Sequence, residues 1–441
     1  MFWGIRQCNR IWPSLSAAYW VPFLWLLIIG SRSPSFWFGA APSGGDLEGN
    51  AFDRNLYLVL GFLSVAILQA RNVKWGRILS NNPALVFLYL YLLASCLWSD
   101  YPEVSFKRWS KDLLALFVGL VIVSQHNARE TLEAIGAKCA IVLYSLSVLF
   151  LKYYPDFGRR YSRAGGLEVT GVTDQKNALG AILLVFGAIV IWSMQGETSA
   201  WLQLPKRTRR ILQWTIIGMG FWLLGQADSK TSIVCLGTAL AILFSDRIPL
   251  IGKSPKTFLT VVAIGIPLLV AGNEFFHLKD EALKLLHRNP TLTGRTVIWE
   301  AIKEHPVDSL FGGGYLIYWD VHNPILIDGY EAFLKTVHNG YLEIYLDGGW
   351  IAVLLLITLL ATCGLRIARE FLTGSDYGRL QLAFFAAVLL FNLGESTFVR
   401  RDVTWFMFLL VCSDFRGVFP APPEPVDESN VPEPDRVGAL A

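Results

Sequence analysis

Residues 336–365 read TVHNGYLEIYLDGGWIAVLLLITLLATCGL, a polar start with His338 and Asn339 followed by an apolar run. An α-helix needs roughly 20 apolar residues to cross the hydrocarbon core of a bilayer. The run lacks the alternation of a barrel strand, and a lipid-exposed segment must satisfy its own backbone hydrogen bonds. Residues 341–365 are therefore predicted to form a membrane-spanning helix with His338 at its water end.

Similar apolar runs occur along the whole chain. They lie near residues 14–30, 55–70, 83–98, 111–124, 132–151, 177–194, 211–227, 231–246, 256–272, 379–394 and 402–415. Together they predict an all-α integral membrane protein with about twelve transmembrane helices, and a count of eleven or thirteen stays open because several runs are short. The long polar stretch 273–340 is predicted to be one large helical loop on the periplasmic side.

The composition excludes several classes of protein. The 441 residues are 53% hydrophobic and 17% charged, with a mean hydropathy of +0.44, which is too apolar for a soluble protein of this length. The net charge of +3 is small and the basic residues are scattered, so no nucleic-acid partner is expected. Six cysteines stand singly without CxxC spacing and predict neither a disulfide framework nor a metal site.

Two parts of the chain are predicted to differ in role. Residues 1–418 form the membrane domain, which includes the outer loop 273–340, and residues 419–441 form a disordered tail rich in Pro, Asp and Glu. The first apolar run resembles a signal peptide in its basic flank. Trp20, Pro22 and Trp25 are unusual in a signal core, so an uncleaved span is favoured.

The loops between the runs carry many basic residues. With a cytoplasmic N-terminus, the inward loops include Arg71, Lys74, Arg77, Lys206, Arg207, Arg209 and Arg210. The outward loops are not depleted, since they carry Arg108, Arg163, Lys176, Lys230, Arg295, Arg400 and Arg401. Basic residues on a translocated face oppose the insertion bias. They therefore suggest an outward cavity for a phosphate-bearing ligand, unless they only extend to lipid headgroups.

The outer loop holds the strongest candidates for chemistry. His338 can accept a proton from a hydroxyl near neutral pH, while Arg295 can hold a diphosphate without being deprotonated. Trp299 lies four residues after Arg295 on one helical face, where it could stack on a sugar or anchor the loop at the membrane. Asn177 opens a helix and could simply cap it.

One series of residues runs from the outer loop into the next helix. It consists of Gly294-Arg295, Trp299, Pro306, Gly312–Gly314, His338-Asn339-Gly340-Tyr341-Leu342 and Gly348-Gly349. This series resembles the signature region of the O-antigen ligase and polysaccharide polymerase superfamily. Two earlier stretches look similar to its exopolysaccharide-production branch: Trp98-Ser99 with Pro102, Ser105 and Arg108, and Asp174-Gln175-Lys176-Asn177 with Gly180.

The resemblance implies a glycosyltransferase of the bacterial inner membrane that needs neither metal nor cofactor. Its donor would be a saccharide on polyisoprenyl diphosphate, and its other partners a saccharide acceptor, the bilayer and further polysaccharide assembly proteins. His338 would assist the acceptor hydroxyl and Arg295 would bind the departing diphosphate. Lys230 stands where the family usually has an arginine and would act as a point charge. The further substrate-binding candidates are Arg108, Arg163, Lys176, Asn177, Asn339 and Trp299.

Three classes of function stay open, and the first, a glycan-transferring enzyme, includes two kinds. A polymerase transfers lipid-linked repeat units to a growing exopolysaccharide or O-antigen chain, whereas a ligase transfers the glycan to a lipid core or protein. The rival from another class is a transporter or flippase of lipid-linked oligosaccharide, although the predicted helix centres hold almost no carboxylates. A scaffold subunit of a polysaccharide assembly complex is the third reading.

Overall fold

The computed structural model describes residues 1–12, 15–39, 49–161, 166–195, 200–248, 254–261, 299, 302, 307–321, 324–327, 330–333 and 336–419. Helices dominate this part of the chain. Those of ten residues or more, numbered here in chain order, are α1 Phe2–Ile11, α2 Trp20–Ile29, α3 Ala51–Ala70, α4 Pro83–Ser95, α5 Pro102–Val123, α6 Ala128–Tyr153, α7 Lys176–Ser193, α8 Lys206–Ala227, α9 Lys230–Leu243, α10 Gly340–Leu372, α11 Asp376–Phe391 and α12 Val403–Cys412.

Shorter elements connect these helices. Short α-helices cover Pro34–Trp37, Trp75–Asn81, Pro155–Gly158 and Tyr318–Val321, and 3-10 turns cover Ala17–Tyr19, Cys96–Trp98, Ala200–Gln203 and Ser245–Arg247. Residues 255–261 are also helical. Two antiparallel strand pairs are present: β1 Arg159–Tyr161 with β2 Leu167–Val169, and β3 Pro324–Ile327 with β4 Tyr330–Phe333.

The membrane character of the chain is borne out by these helices. Four are long and apolar enough to cross a bilayer: Ala51–Ala70, Ala128–Tyr153, Lys176–Ser193 and Gly340–Leu372. Trp75–Asn81 and Pro83–Trp98 meet at an angle of 96° and together make a fifth at most. Other apolar helices lack this combination of length and apolar character. α2 and α12 have ten residues each, and α5 carries several charged residues. The count of about twelve transmembrane helices is therefore not confirmed and stays a prediction.

The predicted outer loop differs from the expected all-helical form. Its described part contains the strand pair β3–β4, in which Ile327 pairs with Tyr330. Asp328-Gly329 separates the two strands in the sequence, and this dipeptide is typical of a two-residue hairpin loop. The candidates Arg163 and Arg295 lie outside the described residues, as does the tail from residue 420. The domain division stays a prediction.

The helices pack into one bundle with α7 near its centre. α9 packs against α11, α3 against α5, α6 against α7 and α4 against α10. The share of the apolar window that is buried is 78% for α7 and 22% for α3. α7 therefore lies inside the bundle, whereas α3 turns most of its surface outward, as a lipid-facing helix does.

Polar contacts sort the loops into two ends of the bundle. At one end, Arg129 pairs with Glu133 and Asp376, and Arg379 pairs with Asp246. We call this the Asp376 end. The other end, where α7, α9 and α10 begin, is called the His338 end. Loops predicted to share a side of the membrane meet each other at each end.

Candidate functional site

The His338 end is organised around a break in α10. Gly348 (φ −143°, ψ 16°) and Gly349 (φ 62°, ψ −164°) leave the helical conformation. The backbone groups freed by this break need other partners, because lipid offers none. Residues 307–316, which we call the splint, supply them through four bonds: Gly313 N to Leu346 O (2.7 Å), Gly314 N to Asp347 O (3.0 Å), Trp350 N to Ser309 O (2.9 Å) and Ile351 N to Leu310 O (3.3 Å).

Glycine permits the contact between the splint and α10. A methyl group on Gly312 would overlap the backbone nitrogens of Gly348 and Gly349, and one on Gly349 would overlap the carbonyl of Leu310. The conformation of Gly349 is also essentially restricted to glycine. Gly312–Gly314 thus approach the backbone of α10.

The splint is fastened to α5 as well. The Tyr315 hydroxyl lies 2.8 Å from Asp112 Oδ2 and 2.6 Å from the Val399 carbonyl oxygen, and its single proton can be donated to either acceptor. Burial raises the pKa of Tyr315, and the charge of Asp112 adds to that rise, so the hydroxyl stays a donor. Arg108, a predicted anion ligand, donates to the Leu316 carbonyl. Its substrate-binding role stays a prediction beside this structural one.

His338 lies immediately before α10 in a left-handed backbone conformation, with φ +54°. Its Nδ1 lies 3.3 Å from Glu395 Oε2. The imidazole side chain is 26% exposed and the carboxylate 8%. A buried carboxylate on Nδ1 favours the tautomer with Nδ1–H and leaves Nε2 as the acceptor. This is the arrangement of a general base held by a partner.

The residues on either side of His338 fix its backbone. Asn339 Oδ1 accepts from the backbone N–H groups of Tyr341 and Leu342, so Asn339 caps α10. Trp299 Nε1 donates to the Val337 carbonyl (3.0 Å). Asn339 and Trp299 were predicted to bind substrate. The contacts in the structure are with the chain itself, and their substrate contacts stay predictions.

Glu395 is the residue that the sequence analysis missed. Its Oε1 accepts from Asn177 Nδ2 (2.6 Å), and Asn177 Oδ1 accepts from Ser229 Oγ (3.0 Å). Ser229 in turn lies 2.9 Å from Ser232 Oγ. This network joins the starts of α7, α9 and α10 to the loop after α11. Asn177 therefore orients Glu395 and does not cap α7, whose N-cap is Gln175.

A signal for Glu395 is present in the sequence. Residues 394–402 read GESTFVRRD, a short polar interruption between two apolar runs, on the side predicted for His338. Only Arg400 and Arg401 drew notice there, as outward basic residues. We call residues 392–402 the Glu395 loop.

The predicted lysine ligands already have acidic neighbours. Lys176 Nζ lies 3.0 Å from Glu168 Oε1, and Lys230 Nζ lies 2.7 Å from Asp228 Oδ1. The Asp228 side chain is 69% exposed, so this pair is weak and open to exchange. An ammonium group has three N–H donors, which leaves capacity for an incoming anion beside the carboxylate.

Two acidic residues of α10 have structural partners at this end. Glu343 pairs with Arg400, and Asp347 Oδ1 accepts from the Leu316 N–H (3.0 Å). Arg401 Nε lies 3.1 Å from Asp112 Oδ1 without the alignment of a hydrogen bond. These contacts tie the Glu395 loop to α10 and α5, and they give Glu343 and Asp347 structural roles.

Backbone strain is concentrated around the site. The described residues include five non-glycine residues with positive φ: Asn72, Asp228, Leu316, His338 and Val399. All but Asn72 lie at the His338 end. A β-branched residue such as Val399 rarely adopts this conformation, and such strain clusters at functional sites.

No protein-family model matches the chain, and a search of curated proteins found no match. The described residues contain no group of three His, Cys, Asp or Glu side chains able to hold a metal ion. Metal independence stays a prediction. The site is thus defined by its own geometry, a histidine–carboxylate pair at a polar end of a membrane bundle.

Proposed function

We propose that this protein is a membrane glycan polymerase that acts at the outer face of the bacterial inner membrane. It transfers saccharide repeat units from polyisoprenyl diphosphate to a growing exopolysaccharide or O-antigen chain. The observation that carries the proposal is the His338–Glu395 pair, which has the geometry of a general base and lies at the end of the bundle where Lys176 and Lys230 begin α7 and α9.

In the proposed step, an acceptor hydroxyl oxygen attacks the anomeric carbon of the donor sugar and forms the new glycosidic bond. The bond from that carbon to the diphosphate oxygen breaks, and the lipid diphosphate leaves with the electron pair. His338 Nε2 takes the hydroxyl proton, and Glu395 stabilises the imidazolium that forms. Arg295 and Lys230 offset the charge of the leaving group.

Such a transfer reaction requires few functional groups from the protein. Polyisoprenyl diphosphate is a good leaving group once its charge is neutralised, so positioning, cations and a weak base are sufficient. The six cysteines are buried and none is placed as a nucleophile. His338, in contrast, is partly exposed, and residues from elsewhere in the chain hold it and its two neighbours. Glu395 contacts its ring, Trp299 donates to the Val337 carbonyl, and the Asn339 N–H donates to Ser396 Oγ.

The ligase and the transporter remain the alternatives. A ligase would use the same base and cations with a different acceptor. A flippase does not require a histidine paired with a carboxylate. A carrier coupled to proton transport, however, could bind and release a proton at such a pair. Loss of the base should therefore stop turnover in an enzyme and leave a flippase working.

The test is polymer output in cells that carry His338→Ala, Glu395→Gln or Arg295→Ala at matched membrane levels. Lipid-linked units are analysed by mass spectrometry and assigned to a membrane face. We expect loss of long polymer and accumulation of single units on the outer face. His126→Ala is the matched control, since His126 is exposed near the Asp376 end.

Each other outcome has a distinct meaning. Full-length polymer still attached to its lipid would favour the ligase. Units retained on the inner face would favour the flippase. Normal polymer in the His338→Ala cells would refute the catalytic assignment altogether.

A further inference from the structure

A cavity opens at the His338 end, and its lining does not include His338. Its volume is about 260 Å³. It lies between the end of α2, the side of α3 and the starts of α7 and α12. Its lining combines polar residues with the apolar side chains of Ile28, Ile29 and Ile182.

The polar lining combines donors with acceptors. Arg32, Arg401 and Gln175 supply N–H groups, while Asp174 and Asp402 supply carboxylate oxygens. The Gln175 amide makes no hydrogen bond within the described part of the chain. The two arginines and two aspartates balance in formal charge.

These groups are held in place by the surrounding backbone. Arg32 donates from Nε to the Thr173 carbonyl (3.0 Å) and from Nη2 to the Phe157 carbonyl (2.6 Å). The Arg401 guanidinium carbon lies 5.1 Å from the centre of the Tyr57 ring. The lining is thus preorganised, which lowers the entropy lost when a ligand binds.

We propose that this cavity binds one sugar ring of the acceptor saccharide. The inference rests on the proposed glycosyl transfer and adds the place where the acceptor is recognised. Sugar hydroxyls both donate and accept, which matches a lining of mixed Arg, Gln and Asp side chains. The volume lies just below the roughly 300–1,000 Å³ of pockets for drug-sized ligands, as suits a single ring.

The charge balance separates this ligand from the donor. A diphosphate requires an excess of positive charge, which the two aspartates remove here. The cavity is nevertheless connected along the chain, in two places, to the residues that contact His338. Gln175 precedes Asn177 on the chain by two residues, and Arg401 and Asp402 belong to the Glu395 loop. An acceptor ring held here would extend toward His338 along these elements.

The test is direct binding of saccharide to purified full-length protein in lipid nanodiscs. The probe is a ladder of oligosaccharides released by partial hydrolysis of the producing cell's own surface polysaccharide. Ala178→Leu fills the cavity without removing a hydrogen bond, and Gln175→Ala deletes the unengaged amide at an N-cap that has no side-chain capping bond. Ala66→Leu and Gln69→Ala are the matched controls on the exposed face of α3.

We expect Ala178→Leu to weaken binding at least about ten-fold and Gln175→Ala roughly three- to ten-fold, the range for loss of one hydrogen bond. The control variants should bind like the wild type. Absence of binding to the wild type, equal binding by the cavity variants, or displacement of the saccharide by inorganic phosphate would each overturn the inference. Because binding is measured without turnover, this result is independent of the polymer assay that tests the proposed function.

Discussion

The two polar ends of the bundle contain similar residues that play different roles. At the Asp376 end, Arg129 bridges Glu133 and Asp376, and its guanidinium lies over the Trp192 ring at 4.4 Å. Arginines and carboxylates there pair mainly with each other. At the His338 end, a buried carboxylate instead pairs with a histidine that keeps one nitrogen available.

The backbone differs between the ends as well. Four of the five non-glycine residues with positive φ in the described chain lie at the His338 end. That end also contains the broken helix and the polar cavity. Ion pairs alone therefore do not identify a site in this protein. Backbone strain, a partly exposed histidine and a ring nitrogen that can accept a proton together distinguish the His338 end.

The largest expected effect comes from the contact between splint and helix. Gly349→Ala or Gly312→Ala forces a methyl group into the backbone on the other side. We expect a cost of about 3 kcal/mol or more, and therefore little folded protein. The measurement is the yield of monodisperse protein after detergent extraction. Gly218→Ala is the control, because no atom lies within 4 Å of the methyl group it adds; equal yields for all three would disprove the splint.

The second prediction contrasts carboxylates of the two ends. Glu395→Gln should lower the turnover of donor by roughly 100-fold, because His338 loses the charge that stabilises its protonated form. Asp376→Asn should leave turnover per folded molecule unchanged. Single-turnover transfer in proteoliposomes measures both. A similar loss in both variants would show that the ends do not differ as proposed.

The third prediction concerns stability at the Asp376 end. Arg129→Ala leaves Glu133 buried without its partner and should lower the free energy of unfolding by about 2 kcal/mol, with partial exposure of Arg129 reducing the effect. Turnover per folded molecule should not change. Arg416→Ala is the control, because its side chain is 79% exposed and an exposed pair contributes under about 1 kcal/mol. Thermal unfolding in one detergent compares them, and equal midpoints would contradict the prediction.

The smallest expected effect concerns Lys230. If it acts as a point charge on the donor diphosphate, Lys230→Met should raise KM for the donor by roughly ten-fold, while Lys230→Arg should stay near the wild type. Steady-state transfer at varied donor concentration measures this. Lys206→Met provides an exposed lysine at the Asp376 end as control. An unchanged KM in Lys230→Met would remove Lys230 from the anion site.

Most helices could be predicted because lipid and burial both demand apolar side chains over a fixed length. The start of α10 at residue 340 follows directly from the run that begins at 341. The break at Gly348-Gly349 could not be predicted, because it depends on a partner segment some 35 residues earlier in the chain. The strands β3 and β4 were missed although Asp328-Gly329 marks a hairpin.

The site could be predicted in part for a related reason. His338 and Asn177 stand out by residue type at the ends of apolar runs, and the structure brings both to Glu395. Glu395 itself follows His338 by 57 positions, and its importance comes from a contact that no local pattern encodes. The cavity next to α7 is likewise a product of packing, since its lining comes from four helices.

The place of Glu395 in the chain also bears on how the protein is made. The splint precedes α10 in the chain, so its hydrogen bonds to the broken helix can form as soon as α10 has been synthesised. Glu395 follows His338 by 57 residues, a delay of roughly 3–11 s at synthesis rates of roughly 5–20 residues per second. A nascent chain arrested within α11 would carry the histidine without its carboxylate. The histidine–carboxylate pair would thus form only after α11 has been synthesised.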